Sequence, residues 1–393
     1  MKSFVYDGGP RILYGADQLP LVVEEIARLG TRLLVVPTGS FVSGGHYAAL
    51  EQRLTSAGIR VFCLRAGRKP LLSRVREGAV LCAREKIQVV LGIGGGVSMD
   101  LAKAIAFSAM HPDTPMEAYL TGQQSTSGLS QLPVVTIPTN PMSGSETNAD
   151  VQITLDETGV QTGCPVGKPV FTWLNPVYAA SLPDRVLAYG QMTAFVQLSI
   201  NYLNTSRSPL AEHYAEASMK TVVECLRRSL ADPGDLDARG TLLLNSALAL
   251  SGINDLGREP EFLPYPLQSC AQIYLGLDYP RALTGLFPYW LKEIYRASSD
   301  KAVFHRYFAE ILRVSPEGKE PEALLQEALS ALRALYREFG VAFTYGELAK
   351  DPRDPARLRE IISAFGPLPC RIMPVTTETL AGILEDAIAG SLS

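Results

Sequence analysis

Val89-Val90-Leu91-Gly92-Ile93-Gly94-Gly95-Gly96-Val97-Ser98-Met99-Asp100-Leu101-Ala102-Lys103 is the stretch on which the fold of this 393-residue chain is read. An apolar run ends in a cluster of glycines and passes at once into an amphipathic run. That is the pattern of a buried strand, a tight turn and a helix N-terminus. Glycine at such a turn allows positive φ and lets a ligand approach the backbone closely. The free N–H groups of the new helix, with its dipole, attract an anion, most often a phosphate. Ser98 is placed to cap the helix or to offer its hydroxyl. An ordinary glycine turn has the same composition; the flanking strand and helix are what point to phosphate.

Outward from this stretch the pattern alternates. Arg32-Leu33-Leu34-Val35-Val36 is an apolar run of strand length, followed by Pro37-Thr38-Gly39-Ser40, and a third strand covers 60–64. Helical spacing over 71–86 leads back into the strand at 87–93, and a helix is expected over 100–110. Leu132-Pro133-Val134-Val135-Thr136-Ile137-Pro138 opens into the hydroxyl-rich loop Thr139-Asn140-Pro141-Met142-Ser143-Gly144-Ser145-Glu146-Thr147-Asn148. Two further strands are expected at 151–154 and 170–174. Strands alternating with helices predict a parallel sheet with helices on both faces, a Rossmann-like α/β domain whose ligands sit at the C-terminal strand ends. From Pro183 onward long helical patterns dominate (184–205, 209–231, 235–254, 282–298, 300–313 and 321–339). The expected organisation is an α/β domain over 1–182 and an all-helical domain over 183–393.

Composition excludes several function classes. Apolar residues make up 47% and charged residues 19%, values of a folded chain, and the net charge of −4 offers no basic face for nucleic acid. No apolar segment has the length of a bilayer span, so no membrane partner is expected. The first residues lack the apolar core of a signal peptide, which predicts a cytoplasmic protein. The six cysteines are scattered without a CxxC pair, as reduced core residues are. The four histidines, at 46, 111, 213 and 305, form no local metal motif.

These motifs together resemble the iron-containing (group III) alcohol dehydrogenases of the dehydroquinate synthase-like fold. The likeness rests on Arg11-Ile12 and Gly15, on Gly94 to Lys103, on Ile137-Pro138-Thr139 leading to Gly144-Ser145-Glu146, and on Asn175-Pro176 and Leu182-Pro183. It implies a dinucleotide whose pyrophosphate lies on Gly94, Gly95, Gly96 and Ser98. Thr139, Asn140 and Ser143 would line the cofactor, with Thr38, Gly39 and Ser40 at the end of the second strand. No acid follows that strand to hold a ribose 2′-hydroxyl, while Arg65, Arg68 and Lys69 follow the third strand and suit a 2′-phosphate. NADPH is therefore favoured over NADH. Asp100 and Lys103 also match the family, with a structural role weighed equally. The resemblance further implies a homo-oligomer, a dimer, and an active site in a cleft between the two domains.

The metal site of the family does not carry over. Its Asp and His, four residues apart on one helix, fall here on Thr193 and Gln197. Its two further His fall on Tyr265 and Tyr279, and another pocket His falls on Ser269. Neutral Thr, Gln and Tyr supply neither the charge nor the soft nitrogen that Zn²⁺ or Fe²⁺ requires, so no metal is expected. Without a Lewis acid, a reductase needs another group to hold developing charge and deliver a proton. Tyr265 and Tyr279 are the candidates, with Gln197 and Thr193 holding a substrate oxygen or amide. Aromatic filling of the vacated metal space is the plainer reading of both tyrosines. Cys270 has no visible base. Tyr274, Trp290, Phe262 and Tyr289 suggest an aromatic-lined pocket or core. The leading expectation is a metal-independent NAD(P)H-dependent reductase of a small carbonyl or imine. A non-redox lyase or cyclase, and a catalytically silent binding protein, stay open beside it.

Overall fold

A computed structural model of the chain describes residues 2–142, 144–204, 206–259, 261–349, 354–366, 368 and 370–392. Among these residues the chain divides into two compact units, one of Asp7–Leu182 with Ala231–Gly252, the other of Met1–Tyr6, Pro183–Leu230 and Ile253–Ser393.

The first unit is built on a six-stranded parallel sheet. Its strands are β1 (Arg11–Tyr14), β2 (Arg32–Pro37), β3 (Arg60–Cys63), β4 (Val89–Gly94), β5 (Val134–Pro138) and, after a separate antiparallel pair β6 (Asp150–Thr154) and β7 (Gln161–Pro165), β8 (Phe171–Leu174). The order is β1-β8-β5-β4-β2-β3. Continuous apolar runs form the central strands because both faces are covered. Leu33 and Val35 of β2 enter one core with Val22, Ile26 and Leu50, while Leu34 and Val36 enter the other with Ile105 and Phe107. Each fully buried side chain of this kind contributes about 1.5–3 kcal/mol over its exposed state.

On β4 one face reads Val90, Gly92, Gly94, and the helix Gly96–Met110 lies against it. A Cβ on Gly92 would stand 3.0 Å from Ala102 Cβ and from Met99 Cα, so the missing side chain is what lets helix and strand approach. Gly94 has φ +145°, which other residues rarely adopt, and its absent Cβ would overlap the Thr38 side chain. The helix begins at Gly96, four residues earlier than the spacing predicts, which puts Ser98 in its first turn. Ser98 does not cap it: its N–H donates to Gly95 O at 3.1 Å, and no side chain caps the start.

The other unit is helical. Every residue from 187 to 202 of the helix Asp184–Tyr202 is buried, the mark of a helix packed on all sides. Helices Pro264–Leu275 and Tyr279–Ala297 pack on one another, and the latter also packs on Asp184–Tyr202. None of the described helices is long and apolar enough to cross a membrane.

Two segments group differently from the expected division at Pro183. The helix Leu236–Ala249 clusters with the α/β unit, because Thr147 Oγ1 donates to Ala247 O at 2.6 Å and Arg239 Nη1 to Ala179 O at 2.8 Å. Met1–Tyr6 clusters with the helical unit, where Lys2 N donates to Gly257 O at 3.0 Å.

Gly94→Ala is expected to lower stability by at least about 1–3 kcal/mol, since it forces both strain and overlap with Thr38. Gly95→Ala, at φ −86° with its nearest neighbour 3.9 Å away, is expected to stay within roughly 0.5 kcal/mol of wild type. Urea unfolding of both variants checks the contrast; equal losses would contradict it.

Candidate functional site

In the α/β unit the ends of three strands meet at the start of one helix. Thr38 N donates to Ile93 O at 2.9 Å and Thr139 N to Gly94 O at 2.9 Å, fastening the ends of β2 and β5 to the end of β4. The absent Cβ of Gly94 points at Thr38 and Ser98, and that of Gly95 at Asn140. Thr38 Oγ1 and Ser40 Oγ are 3.3 Å apart, and nothing stands within 4 Å of a Cβ built on Gly39. The structure thus gathers Thr38, Gly39, Ser40, Gly94, Gly95, Gly96, Ser98, Thr139 and Asn140; Ser143 lies outside the described residues.

Ser98 Oγ and Asn140 Oδ1 are buried there without a hydrogen-bond partner. Free N–H groups at a helix start and an orphaned hydroxyl are what a phosphate oxygen satisfies, so these residues fit a dinucleotide. The loop after β3 runs beside the end of β2, with Leu64 N donating to Val35 O at 2.9 Å and Ala66 N to Pro37 O at 3.0 Å. That register leaves Arg65, Arg68 and Lys69 exposed on the loop alongside the strand end at Thr38.

In the helical unit the four expected catalytic side chains come from three helices. Thr193 and Gln197 lie one turn apart on Asp184–Tyr202, and Thr193 Oγ1 donates back to Tyr189 O at 2.7 Å. Glu261 receives the N–H groups of Phe262 and Leu263 at 3.0 Å each, so Pro264–Leu275 begins with Tyr265 in its first turn. Gly276, at φ +68°, ends that helix, and the Asp278 carboxylate then accepts from Arg281 N at 3.1 Å. This short corner makes Tyr279 the first residue of the next helix. Gln197 Nε2 donates to the Tyr279 hydroxyl at 3.0 Å across 82 residues of sequence.

Burial pushes the Tyr279 phenol up to about 12 against the pull of Gln197, and pushes Tyr265 well above its usual 10 with help from Tyr279 and Asp255. Asp255 is itself pushed up to about 6 by burial, with the Arg258 guanidinium opposing. No sequence signal marked Asp255.

The model of the family described as iron-containing alcohol dehydrogenase matches residues 9–172. The chain is 26% identical over 346 residues to the "Probable NADH-dependent butanol dehydrogenase 1" of Bacillus subtilis, covering 86% of this chain and 88% of that protein. To the NADPH-dependent aldehyde reductase YqhD of Escherichia coli it is 25% identical over 369 residues, 92% of this chain and 93% of the other. The crystal structure of an NADH-dependent butanol dehydrogenase A from Thermotoga maritima matches with a TM-score of 0.90 at 25% identity, over 98% of this chain and 99% of that one. Over residues 9–172 the chain is similar to iron-containing alcohol dehydrogenases, and its fold matches theirs.

The positions where the sequence resemblance places metal ligands hold Thr193, Gln197, Tyr265 and Tyr279. The Thr193 hydroxyl donates a hydrogen bond to the Tyr189 carbonyl, Gln197 donates to Tyr279, and burial raises the pKa of both phenols. A neutral set of this kind does not fit Fe²⁺ or Zn²⁺. Among the described residues no three His, Cys, Asp or Glu side chains gather as a group able to hold a metal. Of the other sequence candidates, Phe262 lies beside Tyr265, their ring centroids 6.5 Å apart. Tyr289 and Trp290 are fully buried, Phe262 is 53% exposed, and burial pushes the Cys270 thiol up to about 12, away from nucleophilic use.

Asp100 and Lys103 are structural ties. Asp100 accepts from Ser145 Oγ at 2.5 Å and Gln152 N at 3.1 Å, while Lys103 Nζ donates to Asn148 Oδ1 at 3.1 Å and Asp150 O at 2.5 Å. Beside them Glu146, quoted in the Gly-Ser-Glu motif but not read as titratable, is fully buried with neither carboxyl oxygen hydrogen-bonded. Burial pushes it up to about 7; the Lys103 charge pulls the other way, and Asp100 adds to the rise.

Between the usual 4.5 and about 7, the folded chain keeps a proton on Glu146 that the unfolded chain has released. The resulting stabilisation is complete below 4.5 and lost as pH rises through about 7, by up to roughly 3 kcal/mol. Glu146→Gln is expected to flatten stability against pH across this window. Urea midpoints at pH 4.5 and 8 test it, and an unchanged pH slope in the variant rejects the assignment.

Proposed function

We propose that this chain is an NAD(P)H-dependent oxidoreductase that reduces a small carbonyl or imine without a metal ion, with NADPH preferred. The observation that carries the proposal is the Gln197–Tyr279 hydrogen bond at positions where the family resemblance places metal ligands. The relatives' names supply the cofactor class, and the cradle around Gly94, Ser98 and Asn140 supports it with unsatisfied groups suited to a pyrophosphate.

A bound reduced nicotinamide supplies the hydride. Tyr279, a phenol held up at about 12, is protonated at pH 7 and so enters as a donor, the role that carbonyl reduction asks for. The Gln197 N–H already points at the phenol oxygen, where charge builds as the proton leaves, and steadies it there. Tyr265 adds a second phenol beside it, and Thr193 holds its helix turn closed. Arg65, Arg68 and Lys69 support the NADPH preference, since a 2′-phosphate needs cations where a 2′-hydroxyl needs an acid. A small-molecule substrate and a homodimer complete the reading; light scattering checks the latter.

Tyr279→Phe is expected to lower kcat for carbonyl reduction by about 10²-fold or more while leaving the Kd for NADPH unchanged. Wild-type enzyme treated with EDTA and shown by elemental analysis to lack iron and zinc should retain its rate. Stoichiometric metal that is needed for turnover defeats the metal-free part of the proposal. Absence of any dinucleotide binding by fluorescence or calorimetry defeats the redox part and favours the non-redox or silent-binding alternatives. In the same assays Arg68→Ala should raise KM for NADPH several-fold with little change for NADH.

A further inference from the structure

Glu146 stands where the hydroxyl-rich loop after β5 is pinned from two sides. Before it, Ser145 Oγ donates to the Asp100 carboxylate at 2.5 Å, on the helix Gly96–Met110. After it, Thr147 Oγ1 donates to Ala247 O at 2.6 Å, on the helix Leu236–Ala249. Gly144, at φ +63°, rests on the residue that follows this second helix: a Cβ there would stand 2.4 Å from Leu250 Cβ. The Glu146 side chain is 0% exposed, and neither carboxyl oxygen accepts a hydrogen bond.

The charged groups around it are already committed. Lys103 supplies the opposing charge, yet its Nζ donates to Asn148 Oδ1 at 3.1 Å and Asp150 O at 2.5 Å, with Asp100 Oδ1 3.7 Å away. Asp100, which accepts from Ser145 and Gln152 N, adds a like charge, and Asp150 of β6 acts on Lys103. A carboxylate closed off from water with no donor is among the costliest groups a fold can enclose. The packed loop therefore admits the neutral acid. Ionisation requires the loop to part from one helix or the other and let water in.

We infer that Glu146 is a positioning residue for the dinucleotide: as the neutral acid it keeps the loop packed between the two helices, and its ionisation loosens the loop together with the groups that line the cofactor. This rests on the dinucleotide reading above, because Thr139 and Asn140 begin the same loop and a Cβ on Gly95 would stand 3.9 Å from Asn140 Cβ. In a loosened loop the carboxyl ionises at its usual 4.5, in the packed loop at about 7. Packing thus binds a proton between those values, weakens as pH rises from 4.5 to about 7, and levels off above. By reciprocity, a dinucleotide that selects the packed loop takes up a proton when it binds in that window.

Calorimetric titration with NAD⁺ and NADP⁺ at pH 5 and pH 8 tests this. The oxidised dinucleotides withstand acid, and NAD⁺ lacks the 2′-phosphate whose own ionisation would intrude. Wild type is expected to bind NAD⁺ at least about tenfold more weakly at pH 8 than at pH 5. At pH 6 it should take up a proton on binding, read from the difference in heat between phosphate and MES buffers. Glu146→Gln and Glu146→Met cannot ionise at this position; both should hold Kd within about threefold across the range and take up no proton. Thermal melts check that they fold, and the wild-type proton uptake decides the matter where a variant does not. A wild-type Kd equal at the two pH values, a fall with pH that both variants share, or no proton uptake at pH 6 overturns the positioning role and leaves the dinucleotide reading standing. No binding of either dinucleotide to wild type at either pH overturns both.

Discussion

The close approach of helix 96–110 to β4 governs the α/β unit. It depends on two missing side chains: Gly92, where a Cβ would press on Ala102 and Met99, and Gly94, whose φ of +145° turns the chain into the helix. Because the strand ends at that turn, the helix N-terminus arrives where β2 and β5 also end, and the backbone bonds from Thr38 and Thr139 lock the three together. The unsatisfied groups that suit a phosphate follow from this packing. Strand-to-helix contact and the exposed N–H groups of the turn are one arrangement, since the N–H groups of a first helical turn have no partners within the helix.

Charge is treated differently in the two units. In the α/β unit Asp100, Lys103 and Glu146 are buried together, and the first two are offset by a hydroxyl, backbone N–H and carbonyl groups and a carboxamide. Glu146 has no such partners, and holding a proton is the least costly way for it to stay inside. The expected catalytic residues of the helical unit are neutral instead. Gln197 donates to Tyr279, Thr193 donates to the Tyr189 carbonyl, and burial raises the pKa of both phenols. A metal centre needs anionic or imidazole donors, which amide and phenol groups do not supply.

Local pattern carried much of the architecture. The apolar runs at 32–36, 89–93 and 134–137 became β2, β4 and β5 because each is buried on both faces, and the long helical spacings after Pro183 became helices. Reading failed where local pattern was weak. The glycines and Ser98 concealed that the helix begins at Gly96, and β7, Gln161–Pro165, has no apolar alternation because it only pairs with β6. The helix at 236–249 reads like its neighbours in sequence, yet Thr147 and Arg239 tie it to the α/β unit. Asp255 went unmarked, since an isolated Asp acquires a role only from what surrounds it.

By itself the sequence determined the alternation of strand and helix, the glycine turn that suits a phosphate, and the absence of acid and imidazole at positions 193, 197, 265 and 279. Those are matters of residue type and spacing along the chain. Tertiary structure decided that Gln197 bonds Tyr279 and that Glu146 is sealed away without a partner. Each of these depends on groups far apart in sequence competing for hydrogen bonds in a space closed to water. No local period records that competition, because its outcome is set only when the helices pack.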